Sequence, residues 1–172
     1  VSSFFPSTSL NSFSSLKLFR LVDGKKLETV RQMLVKRINS PLTCGAGRIF
    51  DAVSALLLLC TESSFDSEAP MRLESAASAK TDDHYPYSLS ETVGLGPMFE
   101  ALLAELDHED IPVIAARFHN TVAHIILDVC KSIRSDTGLK RVVLSGGVFQ
   151  NRYLLEKSLY LLSMNKFRVY TN

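Results

Sequence analysis

The residues best placed to do chemistry in this 172-residue chain are two adjacent glycines, Gly146 and Gly147. The apolar residues Val142–Leu144 before them predict a short buried strand, and a helical pattern starts at Asn151, which suits an N-cap. A strand that turns through glycines into a helix presents backbone amides and a positive helix end, where nucleotides and phosphates bind. Because neither G-x-G-x-x-G nor a following Lys-Ser or Lys-Thr is present, a tight structural turn is an equal alternative.

A charged pair, Arg48 and Asp51, stands near the start of an apolar helical pattern that begins at Gly47. A carboxylate in the first turn of a helix is stabilised by the helix dipole and needs no ligand to explain it. Arg48 precedes Asp51 by three residues and can pair with it, but a guanidinium before a helix can also hold phosphate oxygens. The residues alone leave both interpretations open.

The histidines and cysteines show no metal-site spacing. His119 and His124 are five residues apart, about 140° around a helix, whereas a chelating pair on one helix is separated by four. Cys44, Cys60 and Cys130 are far apart and include no C-x-x-C pair, which predicts reduced thiols without a metal.

Charge and apolar content argue against several classes of partner. Lys and Arg total 19 and Asp and Glu total 18, so no basic field predicts binding to nucleic acid or anionic lipid. The longest apolar run, Ala52–Cys60, is shorter than the roughly 20 residues of a membrane-spanning helix. No basic region precedes an apolar one at the start, so a cytoplasmic location without membrane association is expected.

Hydrophobic periodicity predicts helices first and a βαβ unit last. Residues 1–24 are rich in Ser and Phe, have no clean period and stay unassigned. The segment Lys80–Gly96 is expected to be mostly connection, and Gly138 is expected to end the longest helix. The predicted helices are Lys25–Asn39, Gly47–Cys60, Glu68–Ala79, Pro97–Leu106 and Pro112–Arg134, followed by strand Arg141–Leu144, helix Asn151–Met164 and a strand in "FRVYT". Two parallel strands need more sheet, so the chain is expected to be a fragment of a larger α/β domain.

Three segments, in one order, carry a resemblance to a known family. They are "INSPLTCGAGRIFDAVSALL", "ARFHNTVA" and "LSGGVFQNRYLLE", and they resemble the carboxyl-terminal carbamoyltransferase domain of HypF proteins, which mature nickel–iron hydrogenases. A weaker fourth segment is "FDSEAPMRLESAA". The Gly-Gly segment is more distantly similar to the "SGGV-x-x-N" motif of the universal tRNA threonylcarbamoyl transferases.

This resemblance implies an actin-like ATPase fold, in which two ribonuclease-H-like lobes enclose a nucleotide, with residues 25–172 as most of the second lobe. It implies that the whole enzyme makes carbamoyl-adenylate from carbamoyl phosphate and ATP. The carbamoyl group would then pass to the carboxyl-terminal Cys of the partner HypE. The family's metal would be held by residues outside this sequence, so no metal ligand is expected here. No general base is evident, and the fragment alone is expected to be inactive.

The resemblance also assigns roles to matched residues. It makes Asp51 a ribose acceptor and Arg48 a candidate for phosphate or carbamoyl contact. Relatives often have Glu-Gly-Gln where this chain has Asp66, Ser67 and Glu68, and Ser-Ser where it has Cys44 and Gly45; both departures put nucleotide affinity in doubt. The expected nucleotide-binding residues are Asp51, Gly146, Gly147, Asn151 and Arg48, with Ser67, Glu68 and His119 as substrate-contact candidates.

Two rival functions stay open. One is a threonylcarbamoyl or antibiotic O-carbamoyl transferase of the same fold, against which the "NSPLT" and "ARFHN" segments argue. The other is a degenerate, non-catalytic module that only docks a partner, which the departures at Cys44 and Ser67 keep in play.

Overall fold

The computed structural model describes residues 16–78 and 80–172, in which helices dominate and a βαβ unit comes last. The helices are α1 (Lys17–Leu21), α2 (Gly24–Lys36), α3 (Gly47–Leu56), α4 (Glu68–Ala76), α5 (Gly96–Glu105), α6 (Ile111–Thr137) and α7 (Arg152–Met164). The strands are β1 (Ser88–Leu89), β2 (Val93–Gly94), β3 (Arg141–Leu144) and β4 (Arg168–Thr171), and a short 3-10 turn covers Gly147–Gln150. The predicted mixture of helix and strand is confirmed.

Most predicted helices are confirmed, but three end early. α2 ends at Lys36 rather than Asn39. α3 ends at Leu56 rather than Cys60 because Leu58 adopts a left-handed backbone conformation, with φ of 58°. α4 ends at Ala76 rather than Ala79. Part of the unassigned start, residues 17–21, forms α1, while residues 1–15 lie outside the described residues.

The 27-residue helix α6 organises the core. It ends, as predicted, at Gly138, which adopts φ of 73°. It packs against α4 and α7, and the ring of Phe118 lies edge-on to that of Phe50 in α3, with centroids 4.9 Å apart. By length and composition α6 could cross a membrane, but half of its most apolar window is buried inside this fold. It therefore serves here as a core helix.

The terminal βαβ unit attaches to the second half of α6. β3 and β4 pair in parallel, from Arg141 opposite Arg168 to Leu144 opposite Thr171. A second apolar cluster, made of Leu127, Leu144, Leu162 and Phe167, holds this pair against α6 and α7. The glycine turn follows β3 directly, so the core fixes its position.

An extended segment, residues 81–87, lies along α6 and is called the strap below. Asn120 of α6 donates hydrogen bonds from Nδ2 to the carbonyl oxygens of Thr81 and Asp83, both at 2.9 Å. The Tyr85 amide donates to Thr121 Oγ1 at 2.8 Å. Because the strap has no regular secondary structure, side chains of α6 satisfy its backbone instead.

The second half of the strap is held by aromatic side chains. Tyr87 donates from its hydroxyl to Asp128 at 2.6 Å. The rings of His84 and His124 stack with centroids 4.1 Å apart and planes 11° apart. The segment was predicted as connection, which is confirmed, but these contacts make it a fixed layer over α6.

Candidate functional site

The glycine turn presents an open backbone surface. Gly146 has φ of 100°, a conformation that side chains disfavour, and a Cβ built on Gly146 or Gly147 meets no heavy atom within 4 Å. Both glycines are exposed. Among the described residues, neither glycine amide donates a backbone hydrogen bond. The turn can therefore admit a ligand closely and offer it two amide donors.

Asn151 links this turn to α7. Its Oδ1 accepts from the Leu154 amide at 2.8 Å, so the predicted N-cap is confirmed. Its Nδ2 donates to Nε2 of His119 at 2.9 Å. With 7% of its surface exposed, Asn151 is nearly covered, and its predicted nucleotide contact stays a prediction.

His119 lies beneath Asn151 and is fully buried. Its Nδ1 lies 2.7 Å from the Ala115 carbonyl oxygen, so Nδ1 carries the proton and Nε2 accepts from Asn151. Burial lowers the pKa of His119, which favours this neutral form. In this structure the ring is covered by its neighbours and orients Asn151 through that hydrogen bond. The substrate contact predicted for His119 stays a prediction.

The start of α7 is occupied by a side chain that sequence reasoning did not single out. Oε1 of Glu74, in α4, accepts from the backbone amides of Arg152 at 2.7 Å and Tyr153 at 3.3 Å. Together with Asn151, Glu74 satisfies the otherwise unpaired first amides of α7. A carboxylate of the chain therefore already occupies this helix end.

Arg48 and Asp51 form an ion pair, with Nη2 and Oδ2 separated by 2.9 Å. The side chains are 72% and 31% exposed, so the pairing that the sequence allowed is present at the surface. Phe50, between them, lies edge-on to the His119 ring at 5.4 Å. The start of α3 thus shares a buried contact with the residue that orients Asn151, while the ribose and phosphate roles stay predictions.

Ser67 and Glu68 lie away from the glycine turn. They begin α4, and Glu74 touches α7 from the other end of that helix, roughly 10 Å along its axis. Ser67 has φ of 69°, a conformation that glycine adopts more readily than serine does. Glu68 is 5% exposed. Hydrogen bonds from the Ser64 amide and hydroxyl, aided by Arg72, lower its pKa. The structure gives Glu68 a structural role at the start of α4, and contact with substrate stays a prediction for both residues.

Comparison with known proteins identifies the family. A protein-family model described as "Carbamoyltransferase, Kae1-like Domain, second subdomain" matches residues 7–172. The chain belongs to this carbamoyltransferase family. The resemblance read from the motifs is thereby confirmed.

Individual relatives similar to this chain are also HypF carbamoyltransferases. Carbamoyltransferase HypF of Synechocystis is 31% identical over 163 residues, which cover 91% of this chain and 20% of that protein. Probable carbamoyltransferase HypF of Methanocaldococcus jannaschii is 28% identical over 85% of this chain and 20% of the relative. A crystal structure of full-length HypF in the phosphate- and nucleotide-bound form matches with a TM-score of 0.89 and 32% identity, over 99% of this chain and 27% of that one. The chain therefore spans about a fifth of the length of these curated HypF relatives.

The residues of the HypF-like "ARFHN" motif have different structural roles. Phe118 packs in the core, His119 orients Asn151, and Asn120 holds the strap. Arg117 bonds Glu105 at 2.9 Å. No residue of this motif reaches the glycine turn directly, and the motif therefore builds the framework on which the turn rests.

Metal-binding groups are a separate question. No cluster of three or more His, Cys, Asp or Glu side chains that could hold a metal occurs within residues 16–78 and 80–172. His84 and His124 do meet, but with their rings stacked face to face. The prediction that this chain supplies no metal ligand stays a prediction.

The buried histidines predict that acidification destabilises the fold. Burial lowers the pKa of both His119 and His124 below the ordinary 6.5, so the unfolded chain takes up protons first as the pH falls. Stability is complete above about pH 6.5 and is lost as the pH falls toward the lowered values. We expect urea unfolding to show a lower free energy of unfolding at pH 5.5 than at pH 7.5.

The control for this measurement is His108, which is exposed on the connection after α5. His124→Gln should flatten the pH dependence, whereas His108→Gln should leave it as in the wild type. His124 also faces His84, Asp128, Lys131 and Lys157, so its share should be read from the slope rather than from stability at one pH. Equal slopes in both variants would contradict the assignment to His124.

Proposed function

We propose that this chain is the nucleotide-binding part of a HypF-type carbamoyltransferase. The full-length enzyme would make carbamoyl-adenylate from carbamoyl phosphate and ATP and transfer its carbamoyl group to the carboxyl-terminal Cys thiolate of HypE. In that transfer the thiolate sulfur attacks the carbamoyl carbon, a C–S bond forms, and the C–O bond to the adenylate phosphate breaks. AMP leaves with the bonding electron pair. The product would serve the synthesis of the hydrogenase cyanide ligands in the cytoplasm.

The observation that carries this proposal is the open glycine turn. The two glycine amides are exposed and have no acceptor among the residues that the structure describes. Because the glycines also leave space for close approach, these amides suit the base or ribose of an adenylate. The relative of known structure is described as phosphate- and nucleotide-bound, which supports a nucleotide as the ligand of this family. The rest of the cleft would come from parts of the enzyme beyond this chain.

Within the proposal, this chain positions the adenylate and does no acid–base chemistry. Gly146 and Gly147 would hold it through their amides, with Asn151 fixed beside them by His119. Asp51 would accept the ribose hydroxyls, and the Arg48 guanidinium, 72% exposed, would reach phosphate or carbamoyl oxygens. Holding the carbonyl so that a thiolate can add to its face lowers the barrier by orientation and charge stabilisation.

A Gly147→Ala variant tests this proposal. Gly147 lacks the positive φ of Gly146, and an added Cβ meets no protein atom within 4 Å, so the free energy of unfolding should change by less than about 0.5 kcal/mol. The new methyl group would instead stand in the ligand's approach. We expect the wild-type chain to bind adenosine with a millimolar dissociation constant and the variant to bind at least about tenfold more weakly.

The measurement is an adenosine titration followed by amide NMR shifts, with Gly24→Ala as the matched control. Gly24 also has open space around its Cα but starts α2, outside the proposed site. Wild-type shifts should appear first at Gly146, Gly147 and Asn151. Equal adenosine affinity in Gly147→Ala and the wild type, or shifts confined to another region, would refute the site.

A further inference from the structure

We infer that Glu74 sets the charge preference of the glycine turn: its carboxylate fills the anion position at the start of α7, so the neighbouring turn takes the uncharged adenosine part of a nucleotide and not its phosphates. The choice of adenosine rests on the proposed function. The exclusion of phosphate from the α7 terminus rests on the contacts of Glu74 alone.

The first amides of α7 already have acceptors within the chain. A free helix start attracts phosphate because its amides are unpaired and its dipole is positive. At α7, Oε1 of Glu74 takes the amides of Arg152 and Tyr153, and Oδ1 of Asn151 takes that of Leu154. A phosphate would have to displace Glu74 to reach them. Within residues 16–78 and 80–172, no backbone acceptor takes the glycine amides of the preceding turn.

The cations near Glu74 are few or already paired. Among the ion pairs of residues 16–78 and 80–172, none includes Glu74. The Arg152 guanidinium, the nearest cation in sequence to these amides, is engaged by Glu156 at 2.7 Å. The Glu74 carboxylate thus lies beside the first amides of α7. Burial lowers the pKa of the nearby His119, and the Glu74 charge acts in the opposite direction. The pKa of Arg152 is raised mainly by Glu156 and also by Glu74. A second anion placed there would meet that charge.

The charge of Glu74 and its position between α4 and α7 can be tested separately. Glu74 also ties α4 to α7, so a purely structural cap is the competing explanation. Glu74→Gln keeps an oxygen that can accept from Arg152 and Tyr153 but removes the charge. Glu74→Ala removes both and exposes the amides. A structural cap predicts that only the alanine variant behaves differently, and charge preference predicts that both variants do.

The experiment is a titration of the full chain with inorganic phosphate, followed by the amide NMR signals of Arg152 and Tyr153. We expect no shift of these signals in the wild type. In Glu74→Ala, phosphate should shift them with an affinity at least about fivefold higher than any wild-type binding, and Glu74→Gln should bind more tightly than the wild type. Glu100→Gln is the control, since it removes the same charge from an exposed position on α5, away from α7, and should behave as the wild type.

Two results would overturn the inference. One is a phosphate-dependent shift of Arg152 and Tyr153 in the wild type. The other is phosphate binding in Glu74→Gln and Glu74→Ala that is as weak as in Glu100→Gln. A parallel adenosine titration should give Glu74→Gln an affinity within about twofold of the wild type. Absence of adenosine binding in all proteins would refute the proposed function, while the phosphate titration would still decide the role of Glu74.

Discussion

Asn120→Ala should lower the free energy of unfolding by about 3 kcal/mol. Asn120 is fully buried. Its Nδ2 donates to two strap carbonyl oxygens, and its Oδ1 accepts from the Tyr153 hydroxyl at 3.2 Å. Each such bond contributes about 1 kcal/mol, and alanine leaves the partner groups without theirs. Urea unfolding at neutral pH, followed by circular dichroism, measures the change.

Gln32→Ala provides the comparison for this prediction. Gln32 also carries an amide on a helix, but its single side-chain bond, to Glu28, lies on the exposed surface of α2. Its loss should change stability by less than about 0.5 kcal/mol. If the two variants lose equal stability, the strap is not held by Asn120 as the contacts indicate.

Asp51→Asn in the full-length enzyme should weaken nucleotide binding or carbamoyl transfer to HypE by about ten- to a hundredfold. The substitution keeps the shape but turns one acceptor oxygen into a donor, and a charge-assisted hydrogen bond is worth about 1.5–3 kcal/mol. The thermal midpoint should barely move, because the pair with Arg48 is exposed and such pairs contribute about 0–1 kcal/mol.

Asp107→Asn serves as the matched change. Asp107 is also a surface carboxylate in an ion pair, 3.3 Å from the Lys17 ammonium and 70% exposed, but it follows α5, outside the proposed site. If Asp51 serves only its ion pair or the helix dipole, the two variants should lose similar stability and keep normal transfer. That result would remove Asp51 from the site.

Local patterns predicted the elements of this fold well because the signals are local. Gly138 ends α6 through its own backbone freedom, and Asn151 caps α7 through an amide three residues away. The glycine turn was found for the same reason. Family resemblance added candidate roles, such as that of Asp51, which residue spacing alone had left open.

The contacts that complete the site are distant in sequence, which is why they were not predicted. Glu74 stood in a segment noted for its weak resemblance, but nothing in a helical carboxylate indicates which helix start it will cap. The sequence predicted only a connection at the strap, because the hydrogen-bond partners of the strap are side chains of α6, 36–41 residues away. The burial of His119 and its bond to Asn151 were not predicted, because a motif does not reveal burial.

The Glu74 contact joins α4 to α7, two helices that are far apart in the sequence. Glu74 and Arg152 are 78 residues apart, and closing a loop of that length costs roughly 4 kcal/mol of chain entropy. Two hydrogen bonds at about 1–1.5 kcal/mol each do not offset this cost. The ends must instead be brought together by the apolar packing of α4 and α7 onto α6, so the carboxylate docks onto a scaffold that is already closed. Evolution can therefore exchange Glu74 to retune the ligand without having to rebuild the domain that carries it.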